Sequence, residues 1–423
     1  MAHCIVIGAS IGGLATAYEL RAKLSTQHQI TVIADTATFH FVPSNPWVAT
    51  GFRQAKQTSL ALLPYLTAKN IQFLDSGVTH ISPDKQQVQL GDGQCLQYDY
   101  LVVATGAKHA FDEISGFGPD DYTQSICTLS HAEQAYQRWQ QFIMQPGPII
   151  VGAVQGASCF GPAYEYVLML NQLLRQANIR DQVPMTFVTS EPYIGHLGLG
   201  GVGDSKSLLE SELRHNDIRF INNAAIDAIR PNEMVIKEYG RDGKVFNQQR
   251  LAFDYAMLIP AFSGVPCVAA LDEKLINARG FLYVDDYQRS PDYPNLYGVG
   301  VCVAIPPVEK TPVAVGVPKT GYMIESMASA AAQNIVADIK GQQATTKASW
   351  HALCLADLGH TGAAFVAMPQ IPPRNRVWIK KGKWVRWAKI AFEKYFLYKV
   401  KTGSTEPVYE RILLRLFGIS KNK

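Results

Sequence analysis

The sequence predicts an α/β protein with two Rossmann-like dinucleotide-binding domains, the first discontinuous, followed by a C-terminal amphipathic-helix region. Three observations carry this. An apolar strand at residues 4–7 runs into Gly8-Ala9-Ser10-Ile11-Gly12-Gly13 and a helical stretch. A second apolar strand, Pro148-Ile149-Ile150-Val151-Gly152, opens a similar strand-to-helix turn far downstream. Residues 374–423 hold 14 Lys/Arg against three Glu, with aromatics at helical spacing. The expected boundaries are 1–110 with 270–340 for the first domain, 111–269 for the second, and 341–423 for the C-terminal region.

The 423 residues, 47% hydrophobic and 17% charged, suffice to bury a large core over two or three domains. No run reaches the roughly 18 apolar residues of a membrane span. Because Met1-Ala2-His3 leads straight into a strand, the expectation is a chain without a secretory leader. Seven widely spaced cysteines argue against a disulfide framework and for functional thiols among inert ones. The net charge of +4 hides a basic tail on an acidic body, so the tail is read as meeting an anionic lipid surface, with no nucleic-acid partner.

In the first βαβ unit, residues 14–24 form the helix and 30–34 the second strand. Gly8 permits the tight turn, Gly13 permits close helix–strand packing, and the helix start offers N–H groups to a pyrophosphate. Ser10 replaces the usual middle glycine beside Gly12. Ala34 stands where a ribose-binding acid is expected, with Asp35 one residue later. A structural turn would use the same glycines. Two further segments narrow the reading: a strand ending in Ala104-Thr105-Gly106, and Asn295-Leu296-Tyr297-Gly298-Val299-Gly300, followed by Val301 where Asp is usual. Together these suggest an FAD domain split by an insertion. Lys319-Thr320-Gly321 opens an Ala-rich helix to Ile339, whose N-terminus and lysine would stabilise an anionic reduced flavin; a plain core helix fits the same residues.

The second unit is degenerate. Gly152-Ala153-Val154-Gln155-Gly156-Ala157 lacks the spacing a dinucleotide needs, and Cys159 stands at the helix start, where the positive helix end would favour a thiolate. A scaffold converted to thiol chemistry and a worn but working NADH site both fit. Cys354, in Trp350-His351-Ala352-Leu353-Cys354, is the second candidate of a redox pair that only the fold could assemble. Cys4, Cys95, Cys267 and Cys302 are expected to be inert packing residues. No spacing suggests a metal site.

The chain closely resembles the bacterial sulfide:quinone oxidoreductases from residue 1 to about residue 420. The likeness rests on Phe41 to Val48, Ser125-Ile126-Cys127-Thr128, Gly156 to Tyr166, Ser190 to Gly198, Ile305 to Glu309 and Pro318 to Met327. The resemblance implies that Cys159 and Cys354 are bridged by sulfur and opened by sulfide. It implies a third thiol at Cys127, through which some members attach FAD covalently. It also implies proton handling by His131, His196 and Glu165, although a structural histidine or a buried, paired acid is the duller reading of each.

Tail residues Trp384, Trp387, Phe392, Tyr395 and Phe396, then Tyr409, Ile412, Leu413, Leu416 and Phe417, look like two amphipathic helices lying on a membrane, cations toward the headgroups. Phe392, Tyr409 and Tyr322 match the family's surroundings for quinone, the electron acceptor. The expected location is peripheral on a bacterial inner membrane, with the face, the quinone type and any homo-oligomer left open. A type 2 NADH:quinone oxidoreductase, a flavocytochrome flavoprotein subunit and a flavin redox sensor are the competing readings.

Overall fold

The computed structural model describes residues 1–404, and two parallel sheets give it its frame. The first runs Leu296–Gly298, Tyr100–Val103, His3–Ile7, Gln29–Ile33, Gln72–Leu74. Its strands are near-continuous apolar runs because both faces are covered. Cys4, Val6, Val32 and Leu101 are fully buried, each Val or Leu of this kind contributing roughly 1.5–3 kcal/mol of burial. Helices Ile11–Lys23 and Gly321–Ile339 pack side by side. Their contact is close: a Cβ on Gly12 would meet Ile324 and Val299 at 3.0 Å. Gly8 has φ +105°, and a Cβ there would lie 2.2 Å from the Ala104 carbonyl oxygen. The turn therefore needs glycine twice over, for backbone conformation and for space.

The second sheet runs Ile218–Ile221, Met185–Thr189, Ile149–Ala153, Tyr255–Ile259, also parallel. A separate three-stranded antiparallel sheet of residues 224–252 lies in the chain just ahead of its strand Tyr255–Ile259. A last antiparallel sheet, Ala352–Asp357, Gly362–Met368 and Arg376–Lys381, packs on helix Gly161–Gln176 and carries the C-terminal helix Trp384–Thr402 against it. Cys354 is thereby brought from the far end of the chain to the helix that follows Cys159.

The C-terminal helix corrects the amphipathic picture drawn from sequence. Its inward face carries charge: Lys389, Glu393 and Lys399 are buried. Lys389 pairs with Glu165, Glu393 accepts from Arg53 at 3.1 Å and Ser44 at 2.7 Å, and Lys399 pairs with Glu325 at 2.5 Å. Phe392 and Phe396 also turn inward, onto Phe41 at centroid distances of 6.0 and 5.4 Å. Trp384, Trp387 and Tyr398 face outward, Trp387 being 74% exposed. Three-to-four spacing locates one stripe, but not which stripe the body takes. Among the described residues no helix is long and apolar enough to cross a membrane. Tyr409 and the second expected helix lie outside the described residues.

Candidate flavin and thiol site

The flavin cradle forms where the first sheet ends. Gly8, the Ser10–Gly13 helix start, Ala104-Thr105-Gly106, Gly300 and the Thr320-Gly321 helix start all come off strand ends or helix N-termini of that one edge. Two first-turn sets of N–H groups without intrahelical partners therefore face the same region. A Cβ on Gly106 would meet nothing within 4 Å, and one on Gly321 only Ile11 at 3.9 Å, so the backbone borders open space at both places. Ala34 is buried and Asp35 exposed just beyond the second strand. These residues fit a dinucleotide such as FAD: glycines for close approach, helix starts for pyrophosphate, and an acid within reach of a ribose.

Lys319 projects beside this edge. Its Nζ donates to the Val301 carbonyl at 3.3 Å and sits 4.8 Å from the Phe281 ring centroid. Burial, weakly opposed by Cys302, brings its pKa down to about 8, so the cation is poised to gain from any anion placed next to it.

The second turn is spent on its own chain. Val154, Gly156 and Ala157 donate their N–H groups to Ile259, Ala314 and Val154, leaving none of the three for a phosphate. Gln155 reaches sideways to Ile226, bonding its carbonyl at 2.9 Å and its N–H at 3.0 Å. Glu191, beyond the end of the second strand where an NADH ribose would be held, is fully buried and accepts from Tyr164, Thr189 and the Leu197 N–H. Burial lifts its pKa to about 7. Of the two readings left open by the sequence, the structure favours a scaffold that no longer takes NADH.

Three thiols meet in this region. A charge on Cys159 raises the pKa of both Cys127 and Cys354, so both thiols lie within electrostatic reach of it. Cys354 is solvent-exposed on its strand, opposite Phe365. The expected low thiol pKa is overturned. Burial pushes Cys159 up to about 11 and Cys354 and Cys127 up to about 12. Cys159 lies before the helix, which begins at Gly161 with Phe160 as its cap, and desolvation outweighs the helix end. Among the other cysteines, Cys4, Cys267 and Cys302 are buried, while Cys95 is exposed on a hairpin strand and is no packing residue.

The three proton-handling candidates are placed differently. His131 Nδ1 lies 3.3 Å from Ser125 Oγ, which also accepts from the Cys127 N–H at 3.2 Å. His196 is fully buried. Its Nδ1 accepts from the Gly198 N–H at 3.2 Å and its Nε2 lies 2.8 Å from Glu309, which fixes the proton on Nε2. Burial lowers the pKa of both histidines. Glu165, a turn into the helix after Cys159, is buried against Lys389; burial lifts its pKa to about 7, against the pull of Lys389. Tyr322 sits in the first turn of the Gly321–Ile339 helix and is half-buried. Sequence reasoning missed Ser125, Gln155, Lys389 and Glu309 as participants. Gln155, Glu309 and Lys389 act across 71, 113 and 224 positions, where nothing local marks them, whereas Ser125 lies two residues from Cys127 within a stretch already singled out.

A flavin cradle, a closed second nucleotide turn and cysteines within electrostatic reach of one another define a disulfide-oxidoreductase scaffold. Residues 2–190 match the family described as pyridine nucleotide-disulphide oxidoreductase. The chain is 43% identical to the sulfide-quinone reductase of Aquifex aeolicus over 98% of its own length and 95% of that protein's. It superimposes on the crystal structure of the sulfide:quinone oxidoreductase from that bacterium with a TM-score of 0.96 at 42% identity, covering 100% of this chain and 97% of the other. The chain belongs to the sulfide:quinone oxidoreductase family. A Plasmodium falciparum NDH2 structure in complex with NADH covers 100% of both chains with a TM-score of 0.72 at 13% identity, and shares the fold alone.

Proposed function

We propose that this chain is an FAD-dependent enzyme that oxidises sulfide at Cys159 and Cys354 and passes the electrons to a quinone drawn from a lipid surface. The observation that supports the reading is the fold's bringing Cys354, on a strand packed against the helix that follows Cys159, within electrostatic reach of Cys159, beside a nucleotide turn whose N–H groups are already spent.

Surroundings that penalise thiolates favour sulfur held in uncharged covalent bonds, so Cys159 and Cys354 are suited to carry a sulfur bridge. Hydrosulfide attacking the bridge sulfur on Cys159 leaves a persulfide there and releases Cys354 as a thiolate. The exposed Cys354 carries the electron pair out of that exchange, and further rounds lengthen the chain before polysulfide leaves. FAD, held by Gly8, Gly12, Gly13, Gly300 and the Thr320-Gly321 helix start, supplies the two-electron relay when bound. Lys319 is placed to offset negative charge at that edge.

The acceptor side rests on the C-terminal helix. Trp384, Trp387 and Tyr398 form an outward apolar face, with Lys383, Lys394 and Lys401 exposed along it. Aromatics at the acyl boundary with lysines toward headgroups suit a peripheral anchor on anionic lipid. The reading predicts sulfide-dependent reduction of a short-chain quinone by the purified flavoprotein. Turnover with NADH in place of sulfide would reverse it.

A further inference from the structure

We propose that Gln370 is a positioning residue: its buried amide ties the sheet that bears Cys354 to the helix start at the flavin cradle, and so fixes the approach of Cys354 to the flavin. This role presupposes the sulfide oxidation proposed above. Gln370 lies just beyond the strand Gly362–Met368 and is fully buried. Its N–H donates to the Trp350 carbonyl at 2.5 Å, which carries the pairing of the two strands past Ala352 and Ala367, on the run that leads into Cys354. Its side chain reaches Pro318 and Thr320. The amide nitrogen donates to the Pro318 carbonyl, and the amide oxygen accepts from the Thr320 hydroxyl at 3.2 Å. This orientation is forced, because a carbonyl can only accept and the NH2 group must face it. One side chain thus grips the chain on both sides of Lys319, whose own Nζ leaves toward Val301.

The gripped segment depends on this outside hold. Thr320 is the N-cap of the helix Gly321–Ile339, yet its side chain makes no capping bond. A capping hydroxyl accepts from first-turn N–H groups; here the hydroxyl is given to Gln370, and the cap does not spend those donors on its own helix. Gln370 is itself braced. Arg374 Nε donates to the Gln370 carbonyl at 2.9 Å, and its other two nitrogens donate to the carbonyls of Gly201 at 2.8 Å and Leu199 at 2.5 Å. The loop they hold returns to the same place: a Cβ on Gly198 would lie 2.2 Å from the Gly316 carbonyl oxygen and 3.2 Å from Pro318 Cδ. Gln370, Arg374, this loop and Pro318 therefore close a ring, and the Gln370 amide links that ring to Thr320.

The test compares the purified flavoprotein as wild type, Gln370→Leu, Thr320→Val and the double variant. Hydrogen exchange without sulfide should speed up about tenfold in both the 318–324 and 350–356 segments of Gln370→Leu, since the lost bonds join them, with the 3–7 strand unchanged. Anaerobic stopped-flow should show flavin reduction by sulfide slowed about a hundredfold, the effect of an approach displaced by about 1 Å. Reduction by dithionite, which bypasses Cys354, should keep the wild-type rate. Thr320→Val, a swap of near-equal volume, should reproduce the sulfide effect more weakly and add little to Gln370→Leu, because the two share one bond. It carries the comparison alone if Gln370→Leu does not hold flavin. Equal slowing with sulfide and dithionite would overturn the tether and mark a purely structural role; additive losses in the double variant, or exchange that rises in one segment only, would overturn it too. A wild type that sulfide does not bleach, with both segments still loosened together in Gln370→Leu, would sink the functional reading and uphold the tether.

Discussion

Replacing Lys389 with Met removes the partner of Glu165 while keeping the length of the side chain. Glu165 is 5% exposed, on the helix that follows Cys159, and Lys389 is 3% exposed on the C-terminal helix. The pair thus joins the thiol side of the molecule to its outermost helix. Without Lys389, the carboxyl loses the interaction that lowers its pKa, while the burial that raises it remains. The cheapest folded form then carries Glu165 protonated. Because the wild-type carboxyl already sits at about 7, both proteins hold this proton below pH 7; above it the wild type ionises and levels off, while keeping the variant's carboxyl neutral costs about 1.4 kcal/mol for each further pH unit. The sign follows from the raised pKa: the folded form binds the proton more tightly, so stability falls as pH rises.

Hydrogen exchange of the Trp384–Thr402 amides at pH 6, 7, 8 and 9 reads this locally. In Lys389→Met the opening free energy should follow the wild type's pH slope up to about pH 7 and then fall below it by up to about 1.4 kcal/mol for each further pH unit. The double variant Glu165→Gln/Lys389→Met should recover most of the loss, since a neutral pair leaves no buried charge. A difference from the wild type that does not grow above pH 7, or a double variant no better than the single, would refute the reasoning.

Three further outcomes are expected. Cys354→Ala should abolish flavin bleaching by sulfide in anaerobic mixing while leaving the oxidised flavin spectrum unchanged. His196 is held neutral because burial lowers its pKa against the pull of Glu309, so the unfolded chain takes up the proton first as pH falls below about 6.5. Protection of the 193–203 segment should therefore weaken from pH 6.5 downward in the wild type and become flat in His196→Gln. Trp384→Ser/Trp387→Ser should weaken sedimentation with anionic vesicles by about a hundredfold, from roughly 1.5 kcal/mol or more per aromatic withdrawn from the interface. This pair tests the anchor more cleanly than truncation near residue 375, which would also strip the edge strand Arg376–Lys381 and three buried ion pairs.

The frame was legible because strand alternation and glycine turns are local. Gly8 and Gly13 announce the first turn by spacing, and the apolar runs at 3–7, 100–103 and 296–298 fall into one sheet as expected. The degenerate turn at Gly152 to Ala157 was readable as degenerate, but its occupation by Ile226 and Ala314 was not, since those partners lie far along the chain. Thiol acidity was misread because the helix end is visible in sequence while desolvation belongs to the assembled fold. The C-terminal helix was misread for a similar reason. Lys389 and Lys399 look like solvent-facing cations until Glu165 and Glu325 arrive from elsewhere to neutralise them.

The central claim is tested most directly by anaerobic visible spectroscopy of the purified flavoprotein, adding sulfide to one sample and NADH to another, then a short-chain quinone to whichever reduces. The account predicts that sulfide bleaches the flavin, NADH does not, and quinone restores the oxidised spectrum. Bleaching by NADH alone would contradict it.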